Sequence, residues 1–85
     1  MAVMSLKGHD RGRVYLVIDV EESFVKLADG RLRGLGRLKK KRNSHIKPLG
    51  QAVDTCLVEQ WYKLHENEAD TNIRKSLSDF LIMNQ

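Results

Sequence analysis

The stretch Val14-Tyr15-Leu16-Val17-Ile18-Asp19-Val20 decides how this chain is read. Val14, Leu16, Ile18 and Val20 alternate with Tyr15, Val17 and Asp19. A period of two, rich in β-branched side chains, predicts a strand with one face buried. Tyr15 falls on the weaker face. Upstream, the polar, glycine-punctuated segment Lys7-Gly8-His9-Asp10-Arg11-Gly12 is loop chemistry, and Ala2 to Leu6 is a shorter strand before it. Downstream, Glu21-Glu22 interrupts the pattern before a second run, Ser23 to Ala28, carrying Phe24, Val25 and Leu27. Asp29-Gly30 accepts positive φ and suits a tight hairpin. Arg31-Leu32-Arg33 is then the returning strand, with Leu32 inward. Gly34 and Gly36 loosen the chain, and Asn43 to Leu49 supplies a last short strand that Pro48 confines to an edge or an end.

After Gly50 the period changes. Val53, Leu57, Trp61 and Leu64 recur on one helical face, predicting a helix from Gln51 to about Glu66 with Cys56 buried beside the stripe. Asp70 or Thr71 can cap a second helix, which Ile73, Leu77, Phe80 and Leu81 continue at helical spacing. The expectation is a mainly β domain over residues 1–49, with a helical extension over 50–85 packed on or beside it. Closing so few strands into a small barrel removes hazardous open edges.

The charge is unevenly spread. The net charge is +4, but residues 1–48 carry +7 and residues 49–85 carry −3. The densest stretch holds Arg37, Lys39, Lys40, Lys41, Arg42 and Lys47, a cluster that steers anions toward itself. Lys7, Arg11, Arg13, Arg31 and Arg33 lie in neighbouring segments. Length and composition set the outer bounds. A chain of 85 residues, 41% hydrophobic and 31% charged, is a small globular domain. Its longest apolar run, Val14 to Ile18, falls far short of a membrane span, and Met1 to Leu6 is too short for the apolar region of a signal peptide. The single Cys56 excludes an internal disulfide and suits a reducing, cytoplasmic setting.

Catalytic and metal chemistry find no support in the spacing. His9, His45 and His65 are scattered, and His9-Asp10 reads as an ordinary polar loop pair. Gly34-Leu35-Gly36 lacks the remaining features of a dinucleotide site. No catalytic residue, metal or cofactor is assigned. Of the aromatics, Phe24, Trp61 and Phe80 read as core. Tyr15 can stack a base or serve surface packing equally well, so recognition by shape and backbone charge is expected.

The loop Gly8-His9-Asp10-Arg11-Gly12-Arg13 followed by Val14 to Val20 resembles the KOW motif of ribosomal and transcription-factor proteins, with Gly12 as the matching glycine. Glu21 to Leu27 and Lys41-Arg42-Asn43-Ser44-His45-Ile46-Lys47-Pro48 are similar to the L-fourteen-e family of large-subunit ribosomal proteins and its small bacterial relatives. That resemblance implies an SH3-like barrel of the KOW type that binds RNA, ribosomal RNA first, in the cytoplasm. Gly12 then lets the loop bring its amides toward a phosphate, and Arg11 and Arg13 offer planar forks to it. The expected RNA-binding set is Lys7, Arg11, Gly12, Arg13, Arg31, Arg33, Arg37, Lys39, Lys40, Lys41, Arg42, His45 and Lys47. A second expectation is a protein partner held by the barrel or by the face from Val53 to Leu64, with Trp61-Tyr62 as its anchor.

Overall fold

A computed structural model describes residues 1–53 and 55–84, except the side chain of Thr55. Five strands form one antiparallel sheet: β1 (Ala2–Ser5), β2 (Val14–Val20), β3 (Phe24–Ala28), β4 (Lys39–Arg42) and β5 (Ile46–Gly50). Their order is β4-β3-β2-β1-β5, so the ladder is open with β4 and β5 at its edges. Two helices follow, α1 (Thr55–Trp61) and α2 (Glu66–Met83).

β2 is central and both of its faces are covered. Leu16 packs with Ala2, Ala28 and the helical residues Val58, Trp61, Ala69, Ile73 and Leu77, so the helices cover that side. Tyr15 packs on the opposite side with Val3, Val25 and Leu27. At 2% exposure Tyr15 is neither open to a base nor a surface residue. Its ring is taken up by that apolar cluster, against which Val17 and Ile46 also pack.

The turn after β3 forms without the predicted return strand. Gly30 has φ +78°, but the Asp29 carboxylate accepts from the amides of Arg31 and Arg33 at 2.8 and 3.0 Å. That local bonding competes with strand pairing. Leu32 is 62% exposed rather than inward, and the strand that pairs with β3 is the basic run itself, Lys39 to Arg42. The segment between is held down. Side chains at Gly34 and Gly36 would collide with the carboxylates of Asp70 and Glu66, while Asp70 accepts from the Leu35 amide at 3.2 Å. These glycines permit close packing against α2 instead of loosening the chain.

The helical tail departs from the predicted registers. α1 begins at Thr55 and ends at Trp61, where amides of Lys63 and Leu64 turn back to Gln60 and Trp61. The Asp54 part of the predicted Gln51–Glu66 helix lies outside the described residues. Val58 and Trp61 are buried, whereas Leu57 and Leu64 are exposed, so the stripe is rotated from the predicted one. Cys56 is exposed. α2 starts at Glu66, before Asp70 and Thr71, with Glu66 and Glu68 favourably placed at the positive end of its dipole. Its buried face is Ala69, Ile73 and Leu77; Leu81 is exposed. Pro48 sits in edge strand β5, where its missing amide costs no ladder bond to a further strand.

Candidate functional site

The loop between β1 and β2 is a folded knot. Amides of Arg11 and Arg13 donate to Gly8 and Asp10 carbonyls, and Gly12, at φ +88°, donates its amide to Ser5 at 2.8 Å. Glycine is required here for its backbone conformation. The amides of Arg11, Gly12 and Arg13 are thus committed inside the protein and are not presented to a phosphate as expected. The knot swings Asp10 inward until it is 6% exposed.

Asp10 is the organising carboxylate. Ser5 and Tyr15 hydroxyls donate to it at 2.9 Å each. The ammonium of Lys41 lies 2.7 Å from one oxygen and that of Lys39 3.2 Å from the other. Burial disfavours its charge, but the bonds from Lys41, Ser5, Tyr15 and Lys39 outweigh burial and hold it well below the usual carboxylate range. Lys41 also donates to the Lys7 carbonyl at 2.7 Å. Asp10 is therefore no ordinary loop residue: it ties edge strand β4 to the β1–β2 loop.

Strand periodicity divides the basic run. Lys39 and Lys41 lie opposite Leu27 and Val25 on the inward side and reach Asp10. Lys40 and Arg42 lie on the other side. The Lys40 ammonium is 4.6 Å, and the Arg42 guanidinium 5.5 Å, from the centre of the Phe24 ring. Lys40 faces Lys26 directly across the ladder, a like-charge pair relieved by Glu21, whose oxygens lie 3.2 Å from Lys26 and 3.4 Å from Lys40. Phe24 is half-buried and belongs to neither apolar cluster, so it is not the core residue its sequence position implied.

Arg13, Arg33 and Arg37 line one cleft of about 350 Å³, together with His9, Asp10, Tyr15, Leu32 and Lys39. Among the described residues none of these arginines has a carboxylate partner. No carboxylate of α1 or α2 among the described residues lies within ion-pair distance of them. A second cleft, of about 370 Å³, is lined by Lys7, Phe24, Lys40, Lys41, Arg42 and His45. Asp10 joins the two, because it grips Lys39 of the first and Lys41 of the second.

Of the predicted set, the structure gathers Arg13, Arg33, Arg37 and Lys39 in one cleft and Lys7, Lys40, Lys41, Arg42 and His45 in the other. Gly12 and Arg31 lie in a third recess beside Arg74 of α2. Exposed Arg11 and Lys47 line none of these clefts. Sequence reasoning missed the carboxylates that arrange the cations: Asp10, Glu21, Asp29 and Asp70. Reading Lys39 to Arg42 as a strand would have shown that two of its cations face inward and need an anion. Among the described residues, no group of three or more His, Cys, Asp or Glu side chains is placed to hold a metal ion. No helix among them is long and apolar enough to cross a membrane. Neither a family model nor a characterised protein matches the chain.

Proposed function

We propose that the protein is a non-catalytic RNA-binding module of the cytoplasm that grips the sugar-phosphate backbone through its two joined basic clefts. The observation that carries this reading is the convergence of Arg13, Arg33 and Arg37 on one cleft with no carboxylate partner among the described residues. Unpaired guanidinium groups at a concave surface suit phosphate oxygens, which they meet with paired N–H donors. Such contacts set position and affinity without reading sequence. The open sheet has edges β4 and β5 joined only by Asn43–His45, and the Leu6 amide donates to His45 at 2.8 Å. That proximity supports a strongly curled, SH3-like barrel of the KOW type. The resemblance to the L-fourteen-e family extends the proposal to ribosomal RNA of the large subunit.

The test is a binding titration against an RNA hairpin over a range of salt. Replacing Arg13, Arg33 and Arg37 together with alanine is expected to weaken binding. The slope of log affinity against log salt should also become shallower by about 2–3, at roughly 0.7–0.9 per lost phosphate contact. Unchanged affinity and slope in a variant that still melts cooperatively would reject the assignment.

Exposure of Tyr62 (55%), Leu57 (42%) and Leu64 (41%) around α1 favours a second reading, a protein partner on the helical side. Trp61, buried at 7%, is not its anchor. Co-purification that survives nuclease treatment and is lost in a Tyr62→Ala variant would establish that reading.

A further inference from the structure

Phe24 is an aromatic ring that packing does not account for. It stands at the start of β3, half-buried, outside both apolar clusters, and opens into the second basic cleft. Lys40 and Arg42 stand over the ring at 4.6 and 5.5 Å, and Lys7 and His45 complete the cleft walls. Among the described residues no carboxylate lines this cleft, unlike the arginine cleft, which Asp10 lines. The Lys40 ammonium is shared with Glu21, at 3.4 Å, beyond the rim.

We infer that the Phe24–Arg42 pair is a stacking site for one unpaired base, so that the protein's RNA ligand is single-stranded at this point. The inference rests on the RNA reading above and deepens it. An aromatic ring and a planar guanidinium both present faces on which a base stacks, and every base has such a face. In a duplex those faces are already covered by neighbouring bases, leaving only backbone to be met. The cations around Phe24 fit both states of the site. Without RNA they occupy the electron-rich face of the ring; with RNA the base takes that face and a displaced ammonium meets the phosphate beside it. Glu21 draws Lys40 toward the rim and so eases that exchange. Recognition by backbone charge alone, the expectation from sequence, leaves the position of Phe24 without a role.

The test compares a single strand, an abasic strand of equal length and charge, and a duplex, each titrated with the full chain. The wild-type protein is expected to bind the single strand about tenfold more tightly than the abasic strand. Phe24→Leu, which keeps apolar volume, should remove that preference while leaving the affinity for the abasic strand and the duplex unchanged. Arg42→Lys keeps the charge and removes the planar surface, and should reduce the preference in the same direction with its melting temperature intact. Equal wild-type affinity for single and abasic strands overturns the inference while the backbone-binding reading stands. So does a Phe24→Leu variant that weakens all ligands alike. If wild-type protein binds no RNA at low salt, both readings fall together.

Discussion

Two basic regions of this molecule hold their cations in opposite ways. Lys39 and Lys41 are arranged by strand pairing and by a buried carboxylate; their side chains are 27% and 9% exposed, and both ammonium groups touch Asp10. Arg13, Arg33 and Arg37 come from loops and turns, converge on an open cleft, and have no carboxylate partner among the described residues. The lysines therefore serve cohesion first, and under the proposed function the arginines are the groups left for an external anion. Cations available to a ligand do not follow from a count along the sequence. Period-two geometry divides Lys39 to Arg42 into inner and outer pairs, and only a neighbour's charge decides which members remain free.

The largest test of this contrast is Asp10→Ala. It leaves the poorly exposed Lys41 without its anion and two hydroxyls without their acceptor. Removing one partner of such a buried pair costs about 3 kcal/mol or more, and for a domain of this size that lowers the melting temperature by roughly 12–24 °C. RNA affinity measured well below that temperature should be kept, because the free arginines are untouched. The acid limb checks the same group. The folded protein holds Asp10 below its usual range, so its contribution is full above the unfolded carboxylate value of about 4 and is lost as pH falls further. Urea unfolding across that range should show a steeper loss in the wild type than in Asp10→Ala.

Next comes the support of the arginine cleft. Gly30→Ala places a side chain at φ +78°, against the Asp70 carbonyl and the backbone nitrogen of Arg74. The strained conformation alone costs about 1–3 kcal/mol, and the collision with α2 adds to it. Moving this turn shifts Arg33 and Arg37, so RNA affinity should fall together with stability. Gly12→Ala separates the two causes. Its φ is +88°, but an added Cβ meets nothing within 4 Å. A loss of only about 1–2 kcal/mol is expected there, read by chemical denaturation.

The same contrast shows what was legible in the chain. β2 was plain because each alternate position from Val14 to Ile18 is apolar, and β3 followed from Phe24, Val25 and Leu27. β4 was hidden because its inward positions are lysines, and their anion lies far off in sequence, 31 residues from Lys41. No local pattern announces that pairing. The return strand placed at Arg31–Arg33 failed for a local reason: the Asp29 carboxylate captures the amides that a ladder would need. Gly34 and Gly36 were read as loosening the chain, but the reason for them is the close approach of Asp70 and Glu66 from a distant helix. The basic character of the site was legible; its division into bound and free cations required the fold.

A smaller expected effect probes how Tyr15 couples the lysine region to the core. Tyr15→Phe keeps the ring in its buried place and removes one hydrogen bond to Asp10, at a cost of about 1–2 kcal/mol near neutral pH. Burial, reinforced by the bond to Asp10 and the carboxylate's charge, pushes the phenol up to about 12. A group raised on folding contributes fully below its unfolded value, near 10 for tyrosine, and the contribution is lost as pH rises toward the folded value. The wild type should therefore lose stability in that interval at up to about 1.4 kcal/mol per pH unit more than Tyr15→Phe. The gap between the two denaturation curves should accordingly narrow and close between pH 10 and pH 12. A gap that stays constant would mean that the hydroxyl is free to ionise without breaking its bond to Asp10, and the carboxylate would then not be the element that fastens the lysines to the core.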